Sequence, residues 1–306
     1  MSLISMLKGK GKSGFGYGST AEQVTEGLDL SGKRYLITGC NSGLGAEAMR
    51  VLIQRGAHVF GTARSLDKAK AACAALGERA IPFACELSEP SAIKACLSEV
   101  IARGEPLDGI IANAGIMALP ELSVKHGLEA QFLTNHIGHF TLVTGLLSQL
   151  SADGRVVILS SSAHTMAPKA GIEFDNLDGS RGYSPWAAYG QSKLANLLFA
   201  KELARRLPSP QQTANAVHPG VINTGLQRSM NTLLALTLKM MGPLALKSVS
   251  EGAATEVFVA TNPSVASTQG EYFADCNVSK CSALANDAAL ALRLWETSEQ
   301  LVAKLA

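Results

Sequence analysis

From Lys33 onward, short apolar runs alternate with longer helical ones, and this alternation constrains the fold more than any other feature. The strand-like runs are RYLIT (34–38), AHVFGTA (57–63), AIPFACE (80–86), LDGIIANA (107–114), GRVVILSS (154–161) and TANAVHPG (213–220). Between them lie helical patterns at 46–55, 66–76, 90–102, 128–150 and 185–207, the last two long. Runs of four to eight residues separated by helices of ten or more define βαβ units, which build a parallel sheet. Runs such as VVIL and IIA are apolar at every position, as strands covered on both faces must be. The expected fold is α/β, a doubly wound Rossmann domain with a parallel sheet flanked by helices.

Composition agrees with one large domain. The chain has 306 residues, 47% hydrophobic and 17% charged, enough apolar material for a substantial core and far too much for a disordered chain. Twenty-seven basic residues face 25 acidic ones. No broad cationic surface follows, and with aromatics at 5% a base-stacking platform is excluded as well, so no nucleic acid partner is expected. The six cysteines, at 40, 73, 85, 96, 276 and 281, form no Cys-x-x-Cys pair and read as free thiols in a reducing compartment. The longest apolar stretch, 233–246, is interrupted by Lys239, Gly242 and Pro243, so no membrane span is expected and a cytoplasmic location follows. Residues 1–28 are polar and Gly/Ser-rich and read as a flexible leader, leaving 29–306 as the single domain. The GKS at 11–13 is not a phosphate loop, because that motif needs Gly where the chain has Met6 and a strand before it.

Three motifs carry chemistry. TGCNSGLG (38–45) joins the first strand to a helix: Gly39 permits a tight turn, Gly43 lets backbone approach a pyrophosphate, and Gly45 allows close helix–strand contact. At the end of the second strand an NAD-preferring fold places an acid about 20 residues after the glycines. Here Ala63 stands at that place and Arg64 follows, a guanidinium suited to a 2′-phosphate, which favours NADP over NAD. YGQSK (189–193) sets Tyr189 and Lys193 four residues apart on one helix face, where an ammonium is expected to lower the phenol's pKa from about 10 and make Tyr189 a general acid/base. The serine-rich strand end LSSSAH (159–164) completes a ligand-binding edge.

Together with ANAG (112–115), NHIGHF (135–140), VHPGVINT (217–224), EGAAT (251–255) and GEYFADC (270–276), these blocks resemble the short-chain dehydrogenase/reductase family. The similarity runs from about Lys33 to Glu299 and is greatest to the branch of the retinol dehydrogenases and the WW-domain-containing oxidoreductase. The resemblance implies a catalytic set of Ser161, Tyr189, Lys193 and Asn135, with Ser160 and Ser162 as alternatives for the serine and Asn135 holding a water that links Lys193 to solvent. It implies cofactor contacts from Gly39, Asn41, Ser42, Gly43, Leu44, Gly45, Arg64, Glu86, Leu87, Asn113, Ala114, Gly115, Tyr189, Lys193, Ile222 and Thr224. Glu86 stands where the family usually has Asp, and no membrane anchor like that of the retinol dehydrogenases is expected. His136 and His139 sit i, i+3 with no third ligand, so a structural role is expected rather than a metal site. His164, beside the serine, is open to either a substrate contact or a strand-to-loop hydrogen bond.

The segment 225–247, rich in Leu and Met, is expected to be a substrate lid over a hydrophobic alcohol or carbonyl, or else a packing surface. The family is often dimeric or tetrameric through its two long helices, here 128–150 and 185–207. The expected activity is NADP-dependent interconversion of a hydrophobic alcohol with its aldehyde or ketone. Reduction of a conjugated double bond, or a silent cofactor-sensing protein, are the alternatives.

Overall fold

The computed structural model describes residues 9–222 and 246–305. Its sheet comprises β1 (Arg34–Thr38), β2 (His58–Ala63), β3 (Ala80–Ala84), β4 (Leu107–Ala112), β7 (Leu150–Leu159), β8 (Thr213–His218), β9 (Tyr272–Ala274) and β10 (Asn277–Val278). The strand order is β10-β9-β8-β7-β4-β1-β2-β3, with every pair parallel except β9–β10. The winding reverses between β1 and β4, and crevices at such a switch point bind ligands at the strands' carboxyl ends. Thr38 and Asn113 stand there. A separate ribbon pairs β5 (Val124–Lys125) with β6 (Leu128–Glu129).

Alternation along each strand sorts the core into two layers, as a side-chain period of two requires. Leu36, Ile110, Val156 and Ile158 pack on one face, with α4 (Pro90–Ala102), α5 (Gly138–Gly145), α6 (Pro185–Arg206) and α8 (Ala288–Leu305). Ile37, Ile111, Val157 and Leu159 pack on the other, with α2 (Gly43–Gln54), α7 (Val249–Thr261) and part of α3 (Leu66–Ala74). Among the described residues no helix is long and apolar enough to cross a membrane.

The structure changes two of the sequence expectations. Residues 9–28 are not a flexible leader. A four-residue helix, α1 (Ala21–Val24), is closed by a reciprocal capping box between Thr20 and Gln23, and Ala21 and Val24 are buried. Phe15 meets the Phe258 ring edge-on at 5.7 Å, and Glu22 bonds Ser250 Oγ at 2.6 Å and pairs with Arg50. The segment is thereby fixed to α2 and α7.

The expected long helix at 128–150 is broken. Leu128–Glu129 belongs to the ribbon, entered through left-handed His126 and Gly127; a helical turn (Ala130–Phe132) leads into a π-helical stretch, Leu133–Ile137, before α5. Gly138 is needed there, because a Cβ would stand 2.3 Å from the Leu87 carbonyl oxygen. The groove between α5 and α6 is filled within the chain. Trp295 of α8 lies 4.9 Å from the Phe140 ring and 5.8 Å from Phe199, with the Arg206 guanidinium 4.6 Å over its own ring. Helices α7 and α8 and strands β9 and β10 extend the fold beyond the six runs read from sequence.

Candidate active site

Helix α2 begins at Gly43, and its N-cap Ser42 makes no side-chain bond to the orphan N–H groups of the first turn, which also lacks an acidic residue. These donors and the helix dipole therefore point outward uncompensated, the arrangement that receives a phosphate. Gly43 has φ 58° and open space where a Cβ would be, whereas at Gly45 a Cβ would stand 2.5 Å from Asn113 Nδ2. Gly39, at φ 74°, lies close to Ala114, with 3.1 Å from its would-be Cβ to the Ala114 Cα. The turn thus offers open backbone on one side and is locked to the β4 exit on the other. A dinucleotide's pyrophosphate fits this cradle.

Thr38 does the locking. Its Oγ1 accepts the Asn113 and Ala114 N–H groups, both at 2.9 Å, and its carbonyl accepts Asn113 Nδ2 at 2.7 Å. Asn41 and Arg64 are exposed, Arg64 at the end of β2 with no ion pair among the described residues. Glu86 Oε1 is engaged by the Ser88 N–H and hydroxyl at 3.2 and 3.0 Å. The Leu87 side chain, expected at the cofactor, is buried in the core, so only its backbone can contribute there. Ile222 and Leu44 meet over Gly252, whose would-be Cβ falls 2.5 and 2.7 Å from them. Thr224 and the expected lid up to residue 245 lie outside the described residues.

The polar centre lies at the carboxyl ends of β7 and the start of α6. The Tyr189 phenol stands near the Ser161 side chain, which acts on its ionisation, and Ser161 Oγ accepts the Ala163 N–H at 3.2 Å. Of the two alternative serines, Ser160 is buried and donates to the Lys193 carbonyl at 2.7 Å, and Ser162 is exposed. Ser161 is therefore the serine that meets the phenol. Lys193 is almost fully buried, donates from Nζ to the Leu159 carbonyl at 3.1 Å, and lies 5.7 Å from the Tyr189 ring centre.

Electrostatics here departs from the expected lowering of the phenol's pKa. Burial pushes Tyr189 up to about 12, against the opposing effect of Ser161, and pushes Lys193 down to about 8. Both groups lose water on burial, which penalises whichever form is charged.

Asn135 is fully buried in the π-helical stretch. Its Oδ1 accepts the Ile116 N–H at 2.8 Å, while Nδ2 donates to the Ile116 carbonyl and to Ser192 Oγ, both at 2.9 Å. Both amide hydrogens are committed, so the side chain clamps the loop after β4, and one lone pair on Oδ1 is left for a water. His136 bonds Ser298 Oγ at 2.9 Å, and burial pushes its imidazole down to about 3. Among the described residues no cluster of three His, Cys, Asp or Glu side chains could hold a metal. His164 is resolved as well: its Nδ1 bonds the Ser161 carbonyl at 2.6 Å and its Nε2 accepts the Ser282 N–H at 3.1 Å. It is a brace behind the serine, not a substrate contact.

Residues 33–174 match the short chain dehydrogenase family. The chain is 41% identical to the short-chain dehydrogenase TIC 32 A, chloroplastic, of Brassica napus across the full length of both. It is 38% identical to retinol dehydrogenase 12 of Mus musculus, over 91% of this chain and 89% of that one. Among solved structures, an uncharacterized protein from Mycobacterium Paratuberculosis superposes with a TM-score of 0.74 at 33% identity, covering 94% of this chain and 98% of that one. A short chain dehydrogenase from Burkholderia cenocepacia, in complex with NADP, does so at 0.63 and 25%, covering 79% and 96%. The chain belongs to the short-chain dehydrogenase/reductase family. It is accordingly an NAD(P)-dependent oxidoreductase acting on CH–OH groups.

Proposed function

We propose that this protein is an NADP(H)-dependent oxidoreductase that interconverts a hydrophobic alcohol with its aldehyde or ketone. The observation that carries the reading is the grouping of Tyr189, with the buried Lys193 Nζ 5.7 Å from its ring centre, beside the Ser161 side chain. A carbonyl oxygen bound between the phenol and the serine hydroxyl would accept hydrogen bonds that strengthen as negative charge develops on it. Tyr189 then delivers its proton to that oxygen, and the Ser161 hydroxyl holds the oxygen in line for transfer. With the phenol held up at about 12, the protonated form dominates at neutral pH, so the protein's own groups favour the reductive direction. Lys193 supplies a positive charge against the phenolate left behind.

The nicotinamide cofactor supplies the hydride. Its pyrophosphate would be held by the first turn of α2 over Gly43, its adenosine ribose by Asn113–Gly115 and its 2′-phosphate by Arg64, with Glu86 toward the adenine and Ile222 toward the nicotinamide. The NADP-bound Burkholderia cenocepacia relative supports the 2′-phosphate reading. The retinol dehydrogenase relatives support a hydrophobic substrate. Trp186, edge-on to Tyr189 at 6.1 Å, offers such a molecule an aromatic wall.

The test is a panel of hydrophobic aldehydes and ketones with NADPH, run on the wild type and on Tyr189→Phe. Turnover in the wild type, its loss by about 10²–10⁴-fold in the variant, and unchanged NADPH affinity are expected. A variant that turns over at the wild-type rate would refute the assignment.

A further inference from the structure

We propose that His139 is a positioning residue: a neutral imidazole that ties together the two supports of the Asn113–Ile116 loop and so sets that loop against Lys193. The inference deepens the functional reading above and rests on it for the importance of the loop.

His139 is completely buried on α5, with Nε2 2.8 Å from Thr38 Oγ1 and Nδ1 2.9 Å from the Asn135 carbonyl oxygen. A carbonyl only accepts, so Nδ1 carries the proton. Thr38 Oγ1 already accepts two backbone N–H groups, from Asn113 and Ala114, and both its lone pairs are used. Its own hydrogen therefore goes to Nε2, which must be bare. One tautomer satisfies every group, and an imidazolium would satisfy fewer. Burial also pushes the imidazole down to about 4, which keeps it neutral at any working pH.

Each partner of His139 holds a different end of the same loop. Thr38 holds Asn113 and Ala114, while Asn135 clamps Ile116 through both its N–H and its carbonyl. Gly115 lies between these supports, and a Cβ there would stand 3.1 Å from Asn135 Oδ1 and 3.6 Å from Lys193 Nζ. The loop proposed to carry the cofactor's adenosine ribose is thus the loop that packs on the proposed catalytic lysine. His139 links the Thr38 support, on the cofactor side, with the Asn135 support, on the Lys193 side. The π-helical stretch places Asn135 and His139 so that the carbonyl of one meets the ring of the other.

Two substitutions separate the two arms. His139→Gln can place an acceptor near the Nε2 position and keep the Thr38 bond, but gives up donation to Asn135. His139→Asn can place a donor near the Nδ1 position and keep the Asn135 bond, but leaves the Thr38 hydroxyl without its acceptor. NADPH affinity is read by fluorescence titration and kcat on the best substrate of the panel, with circular dichroism confirming the fold. His139→Asn is expected to weaken NADPH binding by about tenfold with a smaller effect on kcat; His139→Gln to lower kcat by about tenfold with NADPH affinity within about twofold. Wild-type values in both variants, or equal losses in both quantities, would overturn the proposal. Should either variant fail to fold, nitrogen-15 NMR of the wild-type protein still decides. A His139 ring protonated at Nδ1 alone supports the proposal, and one protonated at Nε2 refutes it. Tyr189→Phe is assayed in parallel: if it keeps its turnover the functional reading fails, while NADPH affinity and the tautomer still judge His139 independently.

Discussion

Gly190 and Ala163 are packed so closely that a Cβ on Gly190 would stand 2.7 Å from the Ala163 carbonyl oxygen. The same Cβ would meet the Ala167 nitrogen and the Met166 carbonyl carbon at 2.7 Å, so the whole turn Ser162–Met166 lies flush on α6. That turn opens at Ser161, and α6 carries Tyr189 one residue before the glycine. The absent side chain is what allows serine and phenol to meet. In a solvent-exposed helix, Gly→Ala would stabilise by about 1 kcal/mol. Here the backbone on the other side cannot yield, and overpacking of this kind costs about 1–3 kcal/mol. Gly190→Ala is expected to lower stability slightly and to cut kcat/KM by about 10²-fold through misplacement of Ser161, with NADPH affinity unchanged. Steady-state kinetics with a fluorescence titration checks this; kcat/KM within twofold of wild type would show that the turn adjusts without consequence.

The pH profile follows from the buried pair. Tyr189 stays protonated until about 12, whereas Lys193 loses its proton near 8. Below that value the lysine charge is present to stabilise the phenolate formed on proton transfer, and above it the charge is lost. Reductive kcat/KM should be level from about pH 6 to 7 and fall through about pH 8 to 9. Lys193→Arg, slower overall, should lose the alkaline fall, because a guanidinium keeps its charge. A wild-type profile level to about pH 10 would mean that Lys193 holds its proton in the working enzyme.

Arg64 stands exposed at the end of β2, free of any ion pair among the described residues, so its charge is available to a 2′-phosphate. Removing it should weaken NADPH binding by about 10–100-fold while NADH, which has no 2′-phosphate, changes by less than about threefold. Parallel titrations of Arg64→Ala with both dinucleotides measure the ratio. An equal loss for both would place Arg64 on some other part of the cofactor.

The strands were legible because burial on both faces leaves apolar, β-branched runs with few alternatives; RYLIT matches β1 residue for residue, and Pro90–Ala102 matches α4. The neighbourhood of Tyr189 and Lys193 was legible from their four-residue spacing, but not the burial that raises the phenol's pKa where the spacing alone suggested lowering. What stayed hidden depends on contacts between distant segments. Nothing in LTNHIGHF distinguishes a π-helical stretch from an ordinary helix, since the added residue per turn is set by packing against Leu87 and the β4 exit. Gly190 reads as a helix-weakening residue until Ala163 is seen against it. Thr38 reads as a strand end until its hydroxyl is seen to collect two N–H groups. The capping box Thr20–Gln23 and the i, i+3, i+4 series Ala291, Leu294, Trp295, Ser298 were present as sequence signals, the first obscured by its polar surroundings and the second by its distance from the motif blocks.

Glu256 bears on stability. It lies on α7 at 1% exposure, and neither carboxylate oxygen has a hydrogen-bond partner among the described residues. Burial pushes its carboxyl up to about 8. In the unfolded chain the same group ionises near 4.5. Below that pH both states are protonated and the group has no effect. As pH rises toward 8 the unfolded state releases a proton that the folded state retains, so folding stability declines, by on the order of 3 kcal/mol at pH 7. Glu256→Met keeps the volume and removes the titration. Its melting temperature should exceed that of the wild type by roughly 5–10 °C at neutral to mildly alkaline pH, with the gap closing toward about pH 4.5. Thermal unfolding across that range measures it. A gap that does not change with pH would mean that Glu256 titrates alike in the folded and unfolded chains.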